Sequence, residues 1–516
     1  MRRLGLLAIV LALCSACGAG PSTRPHVAVE HEGGGSASTS TEIPHPDAPP
    51  PPLESPKSNV AWTECTQEAL DRAGVGPAPA GAVLECGHYE APIDKSGAVP
   101  GTFQVGVLRA RNDRTPPDAA PLVFTSGSDR ASTEQLAALV VSGFVDLLST
   151  RPVVAVDRRG IGTSLEIDCL TDLERRSLMT LDPPVGEGDR IDRMTAMGRE
   201  ATIACTDYLQ PQELAFDASH AADDIEALRE LWDVPTIGLL GTGNGTAVAL
   251  SYAARYPDRL GRLVLDSPTA PSGDAVAVTE DKIRGREAAV DVFARQCAAL
   301  DCSLGADPRG AVTELVNRAR AGDVPELSAN DILTAIATTL GSPTSDDEAR
   351  VQALSDTLSA ATQGDVVPLL GLVAESNAAV HRDGQLIARC SDGQRWPAPG
   401  HVRELEQKWA DAYPLFGAAG AVGLLSCSAW PATAPLPLPT AMSVPVLVMT
   451  GAADPVTGNG GVDSARGAVG AAGAPTATLT WHGSGHPVSS TSCARSSIVA
   501  YVDTGALPAD GNACPA

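Results

Sequence analysis

Hydrophobic positions along the chain follow two patterns, one typical of buried strands and the other typical of helices. Short apolar runs bounded by turn residues predict strands, and apolar residues spaced three or four apart predict helices. The strand-like runs are 103–110, 121–124, 152–156, the residues before Gly241, 262–265, 444–450 and 476–481. The helix-like runs are 133–148, 219–232 with Ser219 as its N-cap, the residues up to Tyr256, 281–300, 328–340, 348–370 and 496–502. Because strands and helices alternate, we predict an α/β protein with a mostly parallel, doubly wound sheet.

The same pattern divides the chain into a tail, a core in two parts and a helical insertion. Residues 17–58 are rich in Gly, Ser, Thr and Pro and lack periodic apolar positions, so they predict a disordered tether. Residues 59–268 and 441–516 carry the strand-like runs and form the predicted core. Residues 269–440 show helical patterns without clear strands, and we interpret them as an inserted helical cap. With 516 residues, 43% of them hydrophobic, the chain can bury a large core.

The N-terminus has the features of a targeting segment. Arg2 and Arg3 precede an apolar run over 4–13, which is too short to span a bilayer as a mature helix. Small residues then precede Cys17, as in a bacterial lipobox, so residues 1–16 predict a signal peptide and Cys17 a lipidation site. A plain secretory signal cut after Ala16 is the alternative. Either interpretation predicts an exported protein, lipid-anchored at the cell membrane or secreted.

The cysteine count is compatible with lipidation. Twelve cysteines are present; Cys14 would leave with the signal and Cys17 would be acylated, which leaves ten. Ten can all pair in an oxidising compartment, although spacing alone does not fix the pairing. No two of them have CxxC spacing, so a zinc site is not expected. The ten candidates are Cys65, Cys86, Cys169, Cys205, Cys297, Cys302, Cys390, Cys427, Cys493 and Cys514.

Charge narrows the range of partners. The formal net charge of −25 would repel phosphates, which argues against nucleic acid and against anionic membrane surfaces. We therefore expect membrane association only through the lipid anchor, and a monomer. No cofactor is expected, because the glycine-rich turn at 241–245 is not followed by the Gly-Lys-Ser/Thr of a phosphate loop.

That glycine-rich turn is the stretch around which the predicted core is organised. It joins an apolar strand to a helix and reads Gly-Thr-Gly-Asn-Gly, with Gly243 at its centre. A G-x-S-x-G turn in this setting holds a nucleophilic serine above a sheet. Two further residues follow in the order of such a triad: Asp454 comes directly after one strand-like run, and His486 follows the next. We interpret Asp454 and His486 as the acid and base of a triad whose nucleophile position is Gly243.

Several motifs together resemble those of one family. The motifs are Cys86-Gly87 leading to 91–94, the run 156–164, the turn with Gly245-Thr246, Tyr256-Pro257, Leu265-Asp266, Cys390 with Asp392, and the Asp454/His486 pair. The chain resembles the secreted tripeptidyl-aminopeptidase-like α/β-hydrolases, which are exported actinobacterial peptidases with a TAP-like C-terminal domain. The resemblance implies an α/β-hydrolase fold, peptide hydrolysis from the N-terminus, and disulfides between cysteines that neighbour each other in sequence. It also implies that Asp157 and Asp266, at strand ends, hydrogen-bond loops.

The departures from the family pattern bear on catalysis. Gly243 stands where the family has serine, and loss of a triad nucleophile costs on the order of 10⁶ in rate. The oxyanion region is expected at Ser126, Gly127 and Asn244, but the family's G-G-P-G loop here reads Thr-Ser-Gly-Ser-Asp-Arg over 125–130. In that loop Asp129 would bring negative charge near an oxyanion. Loss of one oxyanion donor costs about 10²–10³.

Three functions remain open at this point. The leading hypothesis is an exported, lipid-anchored homologue that has lost hydrolysis and keeps a cleft for a peptide or small acyl ligand. The second is an active serine-type exopeptidase or esterase with a relocated nucleophile, for which Ser484 is the first candidate. The third is a non-enzymatic cell-envelope protein that binds a partner through the cap or its acidic surface.

Overall fold

A computed structural model of the chain describes residues 50–182, 188–271, 273–344, 346–379 and 382–516. The predicted signal peptide, Cys17 and the tether as far as residue 49 lie outside the described residues. Among the residues that are described, no helix is both long enough and apolar enough to cross a membrane.

Within these ranges ten strands form one sheet in the order β1-β2-β3-β5-β4-β6-β7-β8-β9-β10. The strands are β1 (Thr63–Glu64), β2 (Ala82–Pro92), β3 (Thr102–Asn112), β4 (Leu122–Thr125), β5 (Val153–Val156), β6 (Ile237–Thr242), β7 (Leu260–Asp266), β8 (Val446–Ala453), β9 (Thr476–Ser484) and β10 (Asn512–Cys514). Strands β1 to β3 pair antiparallel, β3 also pairs antiparallel with β5, and all pairs from β5 to β10 are parallel. The short central strands are apolar because both of their faces are covered.

Seventeen α-helices accompany the sheet in the described part of the chain. The first seven are α1 (Thr66–Ala73), α2 (Ser132–Val141), α3 (Val145–Leu148), α4 (Asp172–Thr180), α5 (Arg190–Leu209), α6 (Ala218–Trp232) and α7 (Gly245–Arg255). Between β7 and β8 lie α8 (Ala275–Ala299), α9 (Pro308–Arg320), α10 (Ala329–Gly341), α11 (Asp347–Thr362), α12 (Val367–Ala378), α13 (Arg382–Ser391), α14 (Pro399–Ala412) and α15 (Gly417–Gly423). The last two are α16 (Gly461–Ala471) and α17 (Ser492–Thr504).

Two helical layers cover the sheet and bury its two faces. Helices α6, α7 and α16 share an apolar cluster with one face, and α1, α2, α3 and α17 share another with the opposite face. The carboxyl ends of the parallel strands meet at one edge, which carries the glycine-rich turn after β6, Asp454 after β8 and His486 after β9. That edge is where ligands bind in open α/β sheets.

The helices between β7 and β8 have a separate apolar cluster, to which earlier residues also contribute. Ile191, Met194 and Met197 of α5 are buried in the same cluster as residues of α8, α9 and α10. Helices α4 and α5, which the sequence patterns did not predict, therefore pack with the helices beyond residue 269. A division of the chain at residue 269 would separate residues that share one core.

Two predicted helices are each broken by a glycine. The run 133–148 forms α2 and α3, with Gly143 between them at φ 110°. The run 348–370 forms α11 and α12, and Gly364 separates them at φ 98°. A residue in this backbone region cannot continue a right-handed helix, and glycine adopts the region without steric cost.

Helix α6 begins earlier than its predicted N-cap. Asp217, rather than Ser219, is the capping residue, and its carboxylate accepts hydrogen bonds from the backbone N–H groups of Ser219 at 2.8 Å and His220 at 3.0 Å. Both residue types cap helices, so the sequence pattern did not distinguish two candidates so close together.

The residues from 50 to 58 contact the core, although the sequence predicts that the tether extends to residue 58. Leu53 packs against the apolar cluster beside Gly238 and Gly261, which have no side chains to fill that space. The Lys57 N–H donates to the carbonyl of Trp232 at 2.9 Å. Residues that contact the core therefore precede the first strand.

Candidate functional site

The glycine-rich turn after β6 has the backbone geometry of a nucleophile elbow. Gly243 has φ 56°, in the left-handed region, and its N–H donates to the carbonyl of Asp266 at 3.0 Å. The Thr246 hydroxyl donates to the Gly243 carbonyl at 2.7 Å and does not cap α7. A β-carbon on Gly245 would overlap the carbonyl oxygen of Thr125. Glycine at 243 removes the strain that a side chain would bear at this φ.

Asp454 and His486 form a buried pair that faces this turn. His486 Nδ1 lies 2.9 Å from Asp454 Oδ2, while Asp454 Oδ1 accepts the N–H groups of Val456 and Thr457 at 2.8 and 3.0 Å. A β-carbon placed on Gly243 would lie 3.2 Å from His486 Cε1 and 3.3 Å from Nε2. The acid and base therefore stand where a side chain at position 243 would meet them.

The electrostatics of the pair favour an ionic state. Burial lowers the pKa of His486, but the charge of Asp454 and its hydrogen bond raise that pKa above the ordinary value, with additions from Asp266 and Asp129. Burial raises the pKa of Asp454, and the charge and hydrogen bond of His486 more than reverse this, so that this pKa lies below its ordinary value. Asp454 is thus a carboxylate that stabilises a protonated His486.

Two buried aspartates at strand ends hold the loops around the site. Asp266 accepts the N–H groups of Val488 and Ser489 at 3.0 and 2.8 Å, which positions the segment after His486. Asp157 accepts hydrogen bonds from the N–H and hydroxyl groups of Thr133 and Thr163 at 2.8 to 3.0 Å. Burial raises the pKa of both carboxyl groups. Both aspartates therefore support loops, the role that the sequence resemblance implied.

In the expected oxyanion region, the backbone N–H groups already donate hydrogen bonds to acceptors within the protein. The Asn244 N–H donates to Asp129 Oδ2 at 2.5 Å, and the Ser128 N–H donates to the side-chain oxygen of Asn244 at 2.9 Å. Ser126 N–H donates to the hydroxyl of Ser132. The amide of the residue after the nucleophile position is one of the two oxyanion donors in this fold. Here the Asp129 carboxylate stands where a substrate oxyanion would bind.

The Asp129 carboxylate also crosses the space in front of Gly243. A β-carbon on Gly243 would overlap Asp129 Oδ2. Lys282 Nζ lies 3.5 Å from Asp129 Oδ1, and the side-chain N–H of Gln385 donates to the Asp129 carbonyl at 3.1 Å. The sequence indicated that Asp129 brings negative charge to this loop, but it did not reveal that the carboxylate binds the elbow amide.

A buried ion pair fixes the side chain of Asn244, and sequence reasoning assigned this pair no part in the site. Arg158 Nη2 lies 2.6 Å from Asp392 Oδ1, with side-chain exposures of 0% and 3%. Arg158 Nη1 donates to the Asn244 side-chain oxygen at 3.1 Å, and Asn244 Nδ2 donates to Asp392 Oδ2 at 3.3 Å. Arg158 and Asp392 fall within the motifs that carry the family resemblance, which was the only signal for them in the sequence.

Neither Ser484, the first candidate for a relocated nucleophile, nor Thr242, which precedes Gly243, forms a hydrogen bond with the base in the described chain. Ser484 is buried at the end of β9, opposite Ala453 of β8, and Thr242 is fully buried. Across the described ranges, no serine or threonine hydroxyl forms a hydrogen bond with His486, whose Nδ1 contacts Asp454. Among the described residues, the geometry therefore offers no hydroxyl group poised for proton transfer to Nε2.

A cavity of about 420 Å³ opens beside the elbow, between the sheet edge and the helices beyond β7. Asp129 and Asn244 form part of its lining. Apolar residues from α4, α8, α10, α13 and α15 supply much of the remainder, and four cationic side chains, Arg175, Lys282, Arg286 and Arg389, also line it. The site is therefore a mixed cavity with an elbow and an acid–base pair, and with no side chain at the nucleophile position.

The ten candidate cysteines form five disulfides between sequence neighbours. The pairs are Cys65–Cys86, Cys169–Cys205, Cys297–Cys302, Cys390–Cys427 and Cys493–Cys514. Asp383 lies close to the Cys169–Cys205 bridge, a grouping compatible in distance with a metal site. The two sulfurs are bonded to each other and Asp383 pairs with Arg175 at 2.9 Å, so these groups do not fit a metal.

Two family models and several known proteins are similar to this chain. A family model described as the alpha/beta hydrolase fold matches residues 139–299, and one described as TAP-like protein matches residues 413–514. Serine protease Hip1 of Mycobacterium tuberculosis is 25% identical over 494 residues, which cover 88% of this chain and 91% of Hip1. Tripeptidyl aminopeptidase of Streptomyces coelicolor is 25% identical over 198 residues, or 37% of this chain and 36% of that protein. The solved structure of proline iminopeptidase from Mycobacterium smegmatis is 14% identical, covers 81% of this chain and 98% of its own, and has a TM-score of 0.38.

The sheet, the elbow and the family models define the class of this protein as an α/β-hydrolase fold. Its C-terminal match and its peptidase relatives narrow that assignment. The chain is a TAP-like α/β-hydrolase, related to peptidases, which confirms the resemblance found in the sequence.

Proposed function

We propose that this protein is an exported, lipid-anchored member of the TAP-like α/β-hydrolases that binds a small acyl or peptide ligand and does not hydrolyse it. One observation carries the proposal. At the elbow, where catalysis needs a nucleophile and an oxyanion donor, position 243 has no side chain and the amide of Asn244 is bound by Asp129.

The absence of a nucleophile alone accounts for most of the expected loss. The acid–base pair of such enzymes acts by removing a proton from the serine hydroxyl, and Gly243 offers no hydroxyl to His486. Removing a triad nucleophile costs on the order of 10⁶ in rate. The carboxylate of Asp129 adds a second obstacle. It would repel the negative charge that develops on the oxygen of a substrate carbonyl, and it already occupies the Asn244 N–H that would donate to that oxygen.

Retention of the buried Asp454–His486 pair is consistent with descent from an active peptidase. A buried ion pair is costly to break by removing one partner, so the pair can persist for stability after catalysis has ceased. The adjoining cavity of about 420 Å³ has the size of a small-molecule site, which supports a binding role.

Export and anchoring rest on features of the sequence that the disulfides support. The chain begins with a positively charged and then apolar segment that ends at Cys17, and five disulfides are typical of proteins outside the reducing cytosol. Mass spectrometry of the N-terminal peptide would detect a diacylglycerol-modified Cys17. A Cys17→Ala variant should leave the membrane fraction, and unmodified cysteine in the mature wild type would contradict the anchoring proposal.

The activity is tested with tripeptide p-nitroanilides and short p-nitrophenyl esters. We expect wild type to match its His486→Ala variant, because neither has a nucleophile to activate. A serine-directed fluorophosphonate should likewise label neither protein. Turnover by wild type that disappears in His486→Ala, or a covalent acyl-enzyme, would overturn the proposal and favour a relocated nucleophile.

A further inference from the structure

Two arginines on the wall of the cavity have no carboxylate partner among the residues that the structure describes. Arg286 lies on α8 and Arg389 on α13, and both line the cavity beside the elbow. Arg286 Nε donates to the carbonyl of Pro455 at 3.2 Å, and the guanidinium lies 5.9 Å from the ring of Phe416. Within the described chain, Arg389 forms no hydrogen bond or ion pair.

The other charged groups of the cavity are already engaged. Asp392 pairs with Arg158, and Asp383 pairs with Arg175. Asp331 accepts the N–H and hydroxyl groups of Ser328 at the start of α10. Asp129 accepts the elbow amide and lies near Lys282. None of these four carboxylates forms an ion pair with either arginine.

The two guanidinium groups are also close enough to affect each other. Burial lowers the pKa of Arg389, and the positive charge of Arg286 lowers it further. Burial lowers the pKa of Arg286, an effect that the negative charge of Asp129 partly offsets. Although the surrounding protein desolvates both groups, the side chain of Arg389 is exposed and that of Arg286 is half-buried, so both can be reached by a ligand. Two positive charges held near each other repel, and a bound anion would offset that repulsion.

Two guanidinium groups on the wall of one cavity favour a particular ligand chemistry. Their planar donor forks match the oxygens of a carboxylate or a phosphate. Four carboxylates already line the same cavity, so a singly charged anion is less strongly repelled there than a doubly charged phosphate. The remaining walls are largely apolar, with Ile283, Leu386, Trp396 and Phe416 among the contributors. A ligand that suits this cavity carries one carboxylate on an apolar body.

We propose that Arg286 and Arg389 bind the carboxylate of such a ligand, whose apolar body fills the cavity. The inference deepens the proposed function and rests on it for the idea that the cavity serves binding. A short fatty acid and the C-terminus of an apolar peptide share this chemistry, and the experiment distinguishes them.

The test is isothermal titration calorimetry of the full-length chain with octanoate and octanamide, and with trileucine and its C-terminal amide. A charge-assisted hydrogen bond contributes about 1.5–3 kcal/mol, so each amide should bind at least about tenfold more weakly than its acid. Binding of octanoate alone identifies a fatty acid as the source, and binding of trileucine identifies a peptide C-terminus. Either supports the proposal, whereas equal affinity for acid and amide, or no binding of either acid, overturns it.

Variants locate the binding groups. Arg286→Gln and Arg389→Gln should each weaken binding of the acid about tenfold or more and leave binding of the amide unchanged. Arg284→Gln is the matched control, because Arg284 is on the same helix, pairs with Asp281 at 2.8 Å and has 57% side-chain exposure. Arg389→Lys retains the charge and should recover part of the affinity. A loss of affinity in Arg284→Gln equal to that in Arg286→Gln would contradict the proposed site.

A parallel turnover assay separates this inference from the proposed function. The same samples are given p-nitrophenyl octanoate, and release of nitrophenol is followed. Release that depends on His486 would contradict the proposal that the protein does not hydrolyse its ligand. The carboxylate site would still be tested by the calorimetry. Silent turnover with no binding of either acid would overturn the carboxylate site alone.

Discussion

Restoring a serine at the elbow should not by itself restore hydrolysis, because Asp129 stands in the way. Gly243→Ser places a β-carbon that would overlap Asp129 Oδ2 and lie 3.3 Å from His486 Nε2. The new hydroxyl would be within reach of the base, but the Asn244 N–H would remain bound to a carboxylate. We therefore expect the double variant Gly243→Ser/Asp129→Ala, and not the single one, to regain hydrolysis of short acyl esters.

The magnitudes follow from the contacts. In the single variant the serine side chain crowds Asp129 and strains its charge-assisted bond to Asn244, a bond worth about 1.5–3 kcal/mol. The left-handed backbone at 243 adds strain of roughly 1–3 kcal/mol in either background. Freeing the elbow amide as an oxyanion donor is worth about 10²–10³ in rate. The double variant should thus exceed the single variant in kcat/KM by that factor.

The assay compares kcat/KM for p-nitrophenyl acetate and chemical denaturation across the set of variants. Gly243→Ala/Asp129→Ala is the matched control, since it bears the same backbone strain without a hydroxyl, and it should be inactive. Adding His486→Ala to the double variant should abolish the regained activity. Two results would show that Asp129 does not obstruct the elbow. One is that Gly243→Ser alone is as active as the double variant. The other is that Gly243→Ser lowers the free energy of unfolding no more in the wild-type background than in the Asp129→Ala background.

Three further predictions concern stability. Because the pKa of His486 is raised in the folded state, its ion pair stabilises the fold below about pH 6.5, and this contribution is lost as pH rises through the folded-state pKa. The difference in free energy of unfolding between wild type and His486→Gln should therefore shrink from pH 6 to pH 9. A difference that does not change with pH would contradict this. Asp392→Asn leaves the buried Arg158 without its carboxylate and should lower the free energy of unfolding, measured by urea denaturation, by about 3–5 kcal/mol. The control Glu68→Gln, in an exposed pair, should change it by under about 0.5 kcal/mol. Equal effects would show that the buried Arg158 pair contributes no more to stability than the exposed pair. Arg389→Met removes a cation that has no partner in the described chain and should raise the melting temperature in differential scanning calorimetry, while a lowered one would show that this arginine stabilises the fold.

The pattern of the sequence was sufficient for the elements that position the site. Alternating strands and helices predicted a parallel, doubly wound sheet, and the structure has one with the elbow after β6. The order of Asp454 and His486 after successive strand-like runs predicted that they would meet, because parallel strands end at the same edge. The resemblance to a family also predicted the neighbour pairing of the cysteines, which spacing could not fix.

Errors arose where the local signal was weak or repeated. Asp217 and Ser219 are both good caps within three residues, and only the backbone conformation shows which of them the helix uses. Helices α4 and α5 have apolar faces that were not predicted, and they are buried by contact with helices that lie more than 60 residues further along the chain. Propensity and periodicity describe a segment, whereas burial depends on what packs against it.

By itself, the sequence determined that Gly243 carries no nucleophile and that Asp129 brings charge to the loop after β4, because residue identity decides which functional groups exist. Only the tertiary structure decided that the Asp129 carboxylate accepts the Asn244 amide, and that Arg286 and Arg389 share one cavity wall. These contacts join residues more than 100 positions apart, and hydrogen bonds and charge interactions act over only a few ångströms. They exist because packing of the sheet and helices brings those residues together, which no local pattern records.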